Sequence, residues 1–257
     1  MVMRPRVLLL FTSLAMGCAA SDAILPNPPI EPAPKPAPPR FRCGAAFNQS
    51  SRFLLVQHGF RLLTEDGTRA ELKGPFIREY GRALKGLRGW GDGDPFIVNY
   101  VGHPFEGATY GFIQIQNDPR GMRQQFSSSR EYWQSRLRAM GWAGLMSTQF
   151  ELGPLSEASI GNIGKVPGTS GVVDLVVSPV LGTGVLVMED VLDRYVVQGV
   201  ERRISNPAVV VLTRSFLNPN RAFANVLRGR FPWHRDTRPG IRERGGGVAM
   251  MTRQAAQ

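Results

Sequence analysis

The sequence predicts a mainly α-helical fold: a multi-helix bundle with interrupted, glycine-containing apolar helices and extended termini. Three observations favour it. Apolar residues recur at helical spacing through the middle of the chain, no segment alternates as a half-buried strand does, and no internal repeat is apparent. The 257 residues, with 42% hydrophobic side chains and two cysteines, suffice for one large domain and exclude a small disulfide-stabilised protein.

Four segments are expected along the chain. Residues 1–17 form a signal peptide, residues 18–43 a proline-rich tether, residues 44–230 a helical domain and residues 231–257 a basic, extended tail. Eight prolines fall within residues 26–39, which is typical of a polyproline-type spacer that holds a domain away from a membrane surface.

The N-terminus has the layout of a bacterial export signal. Arg4 and Arg6 precede the apolar run Val7–Phe11, which is too short for an ordinary membrane span. The following stretch, Leu14–Cys18, approximates a lipobox, in which the signal is cut before a cysteine that then carries diacylglycerol. The sequence therefore predicts lipidation of Cys18.

Ordinary cleavage after Ala20 or Ala23 is the alternative. If Cys18 is acylated, Cys43 is a lone thiol; if it is not, the two cysteines could pair, or one could leave with the signal. Ala19 is not the aspartate that often retains lipoproteins in the inner membrane, so the outer membrane is favoured as the location.

The helices of the domain are predicted from apolar spacing, capping residues and prolines at the first helical position. Pro179 and Gly182 are expected to kink one of them. Their ranges are 47–64, 78–87, 95–117, 128–151, 172–200, a helix that begins at Asn206-Pro207, and 218–227.

Two stretches, 95–117 and 172–188, are apolar around most of their circumference. Gly107 and Gly111 in the first, and Gly182 in the second, permit close approach of another helix. A helix that is apolar all round lies either in the centre of a large core or against lipid. Shallow membrane contact and a soluble bundle are therefore both open.

The positive charge is concentrated after residue 200, where eleven arginines and no lysine face three acidic residues and account for +8 of the overall +11. In an exported protein this excess favours membrane lipids or anionic envelope phosphates as partners, and not nucleic acid. A solvated tail without a partner is the alternative. The sequence identifies no protein partner.

A polar stripe runs along the predicted helix 95–117. Its five members, spaced 4, 3, 4 and 4 residues apart, share one face of an otherwise apolar helix. Such a stripe needs partners from other helices or water, so it is either a structural network or a site. These residues are Asn99, His103, Glu106, Tyr110 and Gln114.

The helix 172–200 and the loop before it hold the expected partners. We expect His103 to lie beside Asp174, Glu151 or Glu157, buried or in a narrow cavity. A histidine with carboxylates can act as a general acid or base or hold a metal. His103-x-x-Glu106 is not a recognised metal motif, so the sequence assigns neither a metal nor a cofactor.

The candidate residues divide into two sets. The candidate catalytic residues are His103, Glu106, Tyr110 and Asp174. The remaining members of the predicted polar cluster are Asn99, Glu151, Glu157, Ser178 and Glu189. The sequence contains no nucleophile elbow, P-loop, dinucleotide fingerprint or zinc-protease motif that would name a reaction.

The order of these motifs over residues 95–195 resembles a group of uncharacterised bacterial envelope lipoproteins, and is distantly similar to VanZ-like helical membrane domains. The chain departs from the latter in its length and low hydrophobicity. The resemblance implies a helical fold with one polar cluster made by His103, Glu106, Tyr110, Glu151, Glu157 and Asp174. The motifs are Gly102-His103-Pro104-x-x-Gly107-x-x-Tyr110, Phe150-Glu151, Ser156-Glu157-x-Ser159, and Val173-Asp174-Leu175-Val176-x-x-Pro179-x-x-Gly182-x-Gly184 with Glu189.

These observations together predict a cell-envelope lipoprotein with a membrane-associated helical domain and a buried polar cluster around His103. They assign no molecular activity. The alternative is a hydrolase or transferase that acts on a lipid or cell-wall component through His103 and the neighbouring carboxylates.

Overall fold

The structure, a computed structural model, describes residues 40–64, 66–72, 74–159, 171–238 and 240–241. The predicted signal peptide, the lipidation site at Cys18 and the end of the basic tail lie outside the described residues.

Helices make up most of the described part of the chain, which contains no strand, and this confirms the predicted fold class. Two π-helical turns, Val98–Gly102 and Asp193–Val197, precede α4 and follow α6. The helices are α1 (Cys43–Thr64), α2 (Asp66–Glu71), α3 (Phe76–Gly86), α4 (His103–Asn117), α5 (Arg130–Leu152), α6 (Val173–Leu192), α7 (Gln198–Arg203), α8 (Pro207–Phe216) and α9 (Pro219–Leu227).

Two helix starts form as the capping residues predict. The Ser129 side chain accepts a hydrogen bond from the Tyr132 amide, 3.2 Å away, at the start of α5. The Asn206 side chain accepts from the Ala208 amide at 2.9 Å, one residue before Pro207 opens α8. The predicted helix 172–200 is interrupted at the π-helical turn after α6, and α6 continues through Pro179.

The central helix is α4, which packs against α1, α5, α6 and α9. Every residue from Gly107 to Asn117 is buried. The apolar character of this helix is therefore explained by a core position. Gly182 of α6 brings α6 close to it, because a Cβ at Gly182 would lie 2.9 Å from the Gly107 Cα.

The interior is unusually polar: in the described residues, 27 polar or charged side chains are buried against 23 apolar ones. Buried charges in such an interior have to be paired. Arg136 of α5 lies 2.6 Å from Asp190 of α6, and Arg214 of α8 lies 2.6 Å from Glu201 of α7. These two pairs link α5 to α6 and α8 to α7.

The sequence predicts that the extended tail begins at residue 231, but residues 231–238 pack on the bundle. Arg235 is buried and donates to Asp193 at 3.0 Å, and Arg238 lies 2.6 Å from the same carboxylate. Asp193 pairs with both guanidinium groups and Glu201 lies 3.5 Å from Arg238, so these two arginines do not form part of a free basic tail. Lack of helical periodicity indicated an extended segment but could not show that the segment is anchored.

Candidate functional site

His103 lies between two carboxylates from different helices. Its Nδ1 is 3.4 Å from Glu106 Oε2, one turn along α4, and its Nε2 is 3.4 Å from Asp174 Oδ1 in the first turn of α6. His103 and Asp174 are both 5% exposed, whereas the Glu106 side chain is 31% exposed and marks the edge of the cluster. The predicted contact between His103 and Asp174 is confirmed.

Glu151, at the end of α5, completes the cluster. One ligand atom from each of His103, Asp174 and Glu151 can be chosen so that all three lie within 4.8 Å of one another. The Ser147 hydroxyl, one turn before Glu151, donates to the Asp174 carbonyl at 3.1 Å, which fixes α5 against the start of α6. Three helices, α4, α5 and α6, thus converge on one point.

Asp92 also belongs to the cluster, although the sequence did not identify it. Its carboxylate accepts from the Asn99 side chain at 2.8 Å, and it is hydrogen-bonded to the Asp174 carboxyl group. The loop that carries Asp92 is held at α6 because the Val173 amide donates to the Trp90 carbonyl at 3.1 Å. Asn99, which is a member of the predicted polar stripe, therefore contacts the cluster through its hydrogen bond to Asp92.

The pKa values in the cluster depart from their usual positions. Burial lowers the pKa of His103, but Glu106, Asp174 and Glu151 outweigh burial and raise this pKa to about 9. Burial and the hydrogen bond with Asp92 raise the pKa of Asp174 to about 8.

The two remaining carboxyl groups shift in opposite directions. Burial raises the pKa of Asp92, yet hydrogen bonds from Asp174 and Asn99 lower it overall. Burial and the adjacent Asp174 carboxylate raise the pKa of Glu151 well above its usual value. Near neutral pH, the Asp174 carboxyl group is consequently protonated and donates a hydrogen bond to the Asp92 carboxylate, while His103 is a cation.

Tyr110 and Ser178 flank the cluster. The Tyr110 hydroxyl donates to Gln57 of α1 at 2.6 Å, so its hydrogen bond points toward α1. Ser178 is buried one turn after Asp174, and its hydroxyl has no hydrogen-bond partner among the described residues.

Glu157 contacts α1. Its carboxylate lies 2.9 Å from Arg61 and 3.7 Å from His58 Nδ1. The negative charge of Glu157 is also close enough to Glu151 to contribute to the raised pKa of Glu151. His58, which the sequence did not single out, stacks on Phe150 with ring centroids 5.1 Å apart.

The predicted place of Glu189 in the cluster is wrong. Fifteen residues separate it from Asp174, about 22 Å along a helix. Its carboxylate accepts from the Asn220 and Arg221 amides at 2.9 and 3.2 Å, at the start of α9. An acidic side chain at a helix N-terminus satisfies free amides there, so Glu189 has a structural role.

No family model, curated protein or solved structure matches this chain. A buried imidazole with carboxylates at both ring nitrogens can transfer protons, form a fixed ion-pair network or coordinate a cation.

Proposed function

We propose that this chain is a membrane-associated lipoprotein of the bacterial cell envelope. Its helical domain lies against lipid through exposed apolar side chains and encloses the polar cluster around His103. The observation that carries the proposal is the distribution of apolar and polar side chains, because many large apolar residues are exposed while just over half of the buried side chains are polar or charged.

The exposed apolar residues follow stripes on the helices. Within each stripe the members recur mainly every three or four residues, so they share one helix face. We call these sets the apolar stripes. They consist of Val56, Phe60 and Leu63 on α1, of Ile97, Val101 and Phe105 at the start of α4, and of Val176, Val180 and Met188 on α6.

One helical segment within the described residues, Val173–Arg203, is long and apolar enough to cross a membrane by length and composition, with a mean hydropathy of 1.7. This alone is weak evidence, because the core helix of a soluble protein passes the same test. Asp174, Glu189 and Asp190 of this segment are buried in the bundle. These contacts favour a helix that belongs to the core and exposes one apolar stripe to lipid.

The described residues also include exposed arginines. Arg202, Arg203 and Arg230 are exposed, in contrast to the buried Arg214 and Arg235. Exposed arginines bind lipid phosphates by charge and by hydrogen bonds from the guanidinium group. We propose anionic phospholipid headgroups or other envelope phosphates as the ligands of these three side chains.

Vesicle flotation tests the membrane contact. The Cys18→Ser chain, expressed without its signal and therefore without lipid, is expected to float with vesicles that contain phosphatidylglycerol. Val180→Asp on an apolar stripe should reduce the floating fraction several-fold, whereas Ser128→Asp at an exposed position before α5 should not. Equal flotation of both variants would argue against the proposed surface.

The lipid anchor has its own test. Mass spectrometry of the mature protein from bacterial membranes is expected to show an N-terminal Cys18 that carries diacylglycerol. A chain that starts unmodified at Ser21 or Ile24 would exclude the anchor. The apolar stripes could still bind lipid in that case, so the two results are independent.

A hydrolase or transferase acting on a lipid or cell-wall component is the second candidate. It is favoured by the contact of a proton-bearing acid, Asp174, with both an imidazole and a second carboxylate, since these groups can exchange protons with a substrate. Purified protein incubated with envelope phospholipids or peptidoglycan fragments should yield new products by mass spectrometry. Products that His103→Gln forms as fast as the original chain would exclude this role.

A further inference from the structure

The convergence of three helices on His103 has the composition of a metal centre. We propose that His103 Nε2 and the carboxylates of Asp174 and Glu151 bind one divalent transition-metal cation of the zinc or manganese class. This inference does not depend on membrane association, because all three side chains lie inside the bundle.

The distances fit coordination. Metal bonds to nitrogen and oxygen ligands are about 2.0–2.2 Å long, which places tetrahedral ligand atoms about 3.5 Å apart. His103 Nε2 and Asp174 Oδ1 are already 3.4 Å apart. One ligand atom from each of His103, Asp174 and Glu151 can be chosen so that all three lie within 4.8 Å of one another.

A buried polar atom without a hydrogen-bond partner is a second indication of a ligand, and it is independent of the residue types in the cluster. Asp174 Oδ1 is buried and accepts no hydrogen bond from an N–H or hydroxyl donor of the described residues, although it faces His103 Nε2. The Ser178 hydroxyl, one turn further along α6, is also buried without a hydrogen-bond partner in the described residues. Polar atoms buried in this way are costly unless they have a partner.

The charges also favour a cation. The carboxyl groups of Glu106, Asp174 and Glu151 lie close to one imidazole, which supplies at most a single positive charge. A divalent cation would balance the charge of two carboxylates.

Outer contacts orient the proposed ligands. Glu106 lies at His103 Nδ1 and holds the ring so that Nε2 faces Asp174. Metal-binding histidines commonly have such a carboxylate at the second ring nitrogen. Asp92, itself held by Asn99, orients the Asp174 carboxyl group in the same way.

One nitrogen and two oxygen ligands indicate the class of metal. This set suits zinc, manganese or ferrous iron better than copper(I), which prefers sulfur ligands. Cys43 is exposed at the first residue of α1, and it is not one of the three converging ligands. The proposed site therefore has no thiolate among its three protein ligands.

Calorimetric titration of the full chain in detergent with Zn²⁺ tests the site. We expect one equivalent to bind, with His103→Gln and Asp174→Asn weakening binding at least tenfold. Glu106→Gln, at the partly exposed edge, should weaken binding about tenfold through the orientation of His103. The matched control is His234→Gln, which changes an imidazole that pairs with Asp236 and should bind as the original chain does.

The Co²⁺ spectrum supplies a second measurement on the unmutated chain. Bound Co²⁺ is expected to show visible d–d bands without a cysteine-to-metal charge-transfer band, and Cys43→Ser should leave the spectrum unchanged. Absence of Zn²⁺ binding to the original chain would overturn the proposal. Equal affinity in folded His103→Gln, or loss of the spectrum in Cys43→Ser, would do the same.

Discussion

Gly107 of α4 lies directly against the backbone of Ser178 in α6: a Cβ at Gly107 would be 1.8 Å from the Ser178 carbonyl oxygen. One turn earlier on each helix stand His103 and Asp174, whose side chains are in contact. The two helices therefore run in parallel through this region, and the absence of a side chain at position 107 determines how closely the two halves of the cluster approach.

Gly107→Ala is expected to destabilise the fold, since the new methyl group meets backbone that cannot rotate away. Overpacking of this kind costs about 3 kcal/mol. Urea unfolding monitored by circular dichroism should show a lower midpoint for this variant. The contact between His103 and Asp174 should also lengthen.

The matched control for that change is Gly184→Ala on α6. A Cβ at Gly184 meets no atom within 4 Å, so the gain in helix propensity should leave stability unchanged or raise it by up to about 1 kcal/mol. If both alanine variants unfold at the same urea concentration, the close approach at Gly107 is not what holds α4 to α6.

Removal of the buried carboxylate of Asp190 should be more costly than loss of an exposed charge. Arg136 is 1% exposed and donates two hydrogen bonds to Asp190, and the Tyr132 hydroxyl donates a third. Asp190→Ala leaves the guanidinium without its counter-charge, which costs about 3–5 kcal/mol. Thermal or urea unfolding measures the loss.

A pair in which the arginine is exposed and the carboxylate is buried provides the comparison. The Arg120 side chain is 52% exposed beside Asp118, which Arg138 also contacts. Arg120→Ala should barely move the unfolding midpoint because water and the second arginine compensate. Similar losses in Asp190→Ala and Arg120→Ala would show that burial of the first pair does not matter to stability.

Acid should weaken the anchoring of residues 231–238. Burial raises the pKa of Asp193, but Arg221, Arg235 and Arg238 outweigh it and lower this pKa from 3.8 to about 2. The unfolded chain thus binds this proton more readily than the folded chain does. The carboxylate contributes about 2 kcal/mol at neutral pH, and this contribution disappears as the pH falls from about 4 to 2.

Asp193→Asn isolates that effect. The free energy of unfolding of this variant has no contribution from the titrating carboxylate. The difference in free energy of unfolding between the original chain and the variant should therefore narrow by about 2 kcal/mol as the pH falls from 5 to 2. Urea titrations at several pH values measure it. A difference that stays constant over this range would show that Asp193 does not titrate as described.

Sequence periodicity was sufficient for the parts of the site that lie on one helix. The stripe spacing placed His103 and Glu106 on one face, and burial of that face required partners, which made contact with Asp174 predictable. Glu189 falls on the same face of the predicted helix as Asp174. The spacing that shows this does not tell which residues of that face lie level with His103. The start of α9, which Glu189 stabilises, contacts α4 at Thr109, six residues beyond His103.

The contacts that sequence reasoning missed depend on loops and on tertiary packing. Asp92 stands in a glycine-rich loop before the predicted helix 95–117, and the hydrogen bonds between this loop and the start of α6 bring its carboxylate to Asp174. Arg235 occurs in an aperiodic basic segment, and its burial follows from the position of Asp193 on another element.

The most direct test of the account is whether the apolar stripes enter lipid while the polar interior stays closed. An environment-sensitive fluorophore attached to Val180→Cys, in a chain with Cys18→Ser and Cys43→Ser, should shift its emission to the blue when vesicles containing phosphatidylglycerol are added. The same label at Ser128→Cys should remain in water. Unchanged emission at Val180→Cys, or a shift only at Ser128→Cys, would contradict the proposed membrane contact.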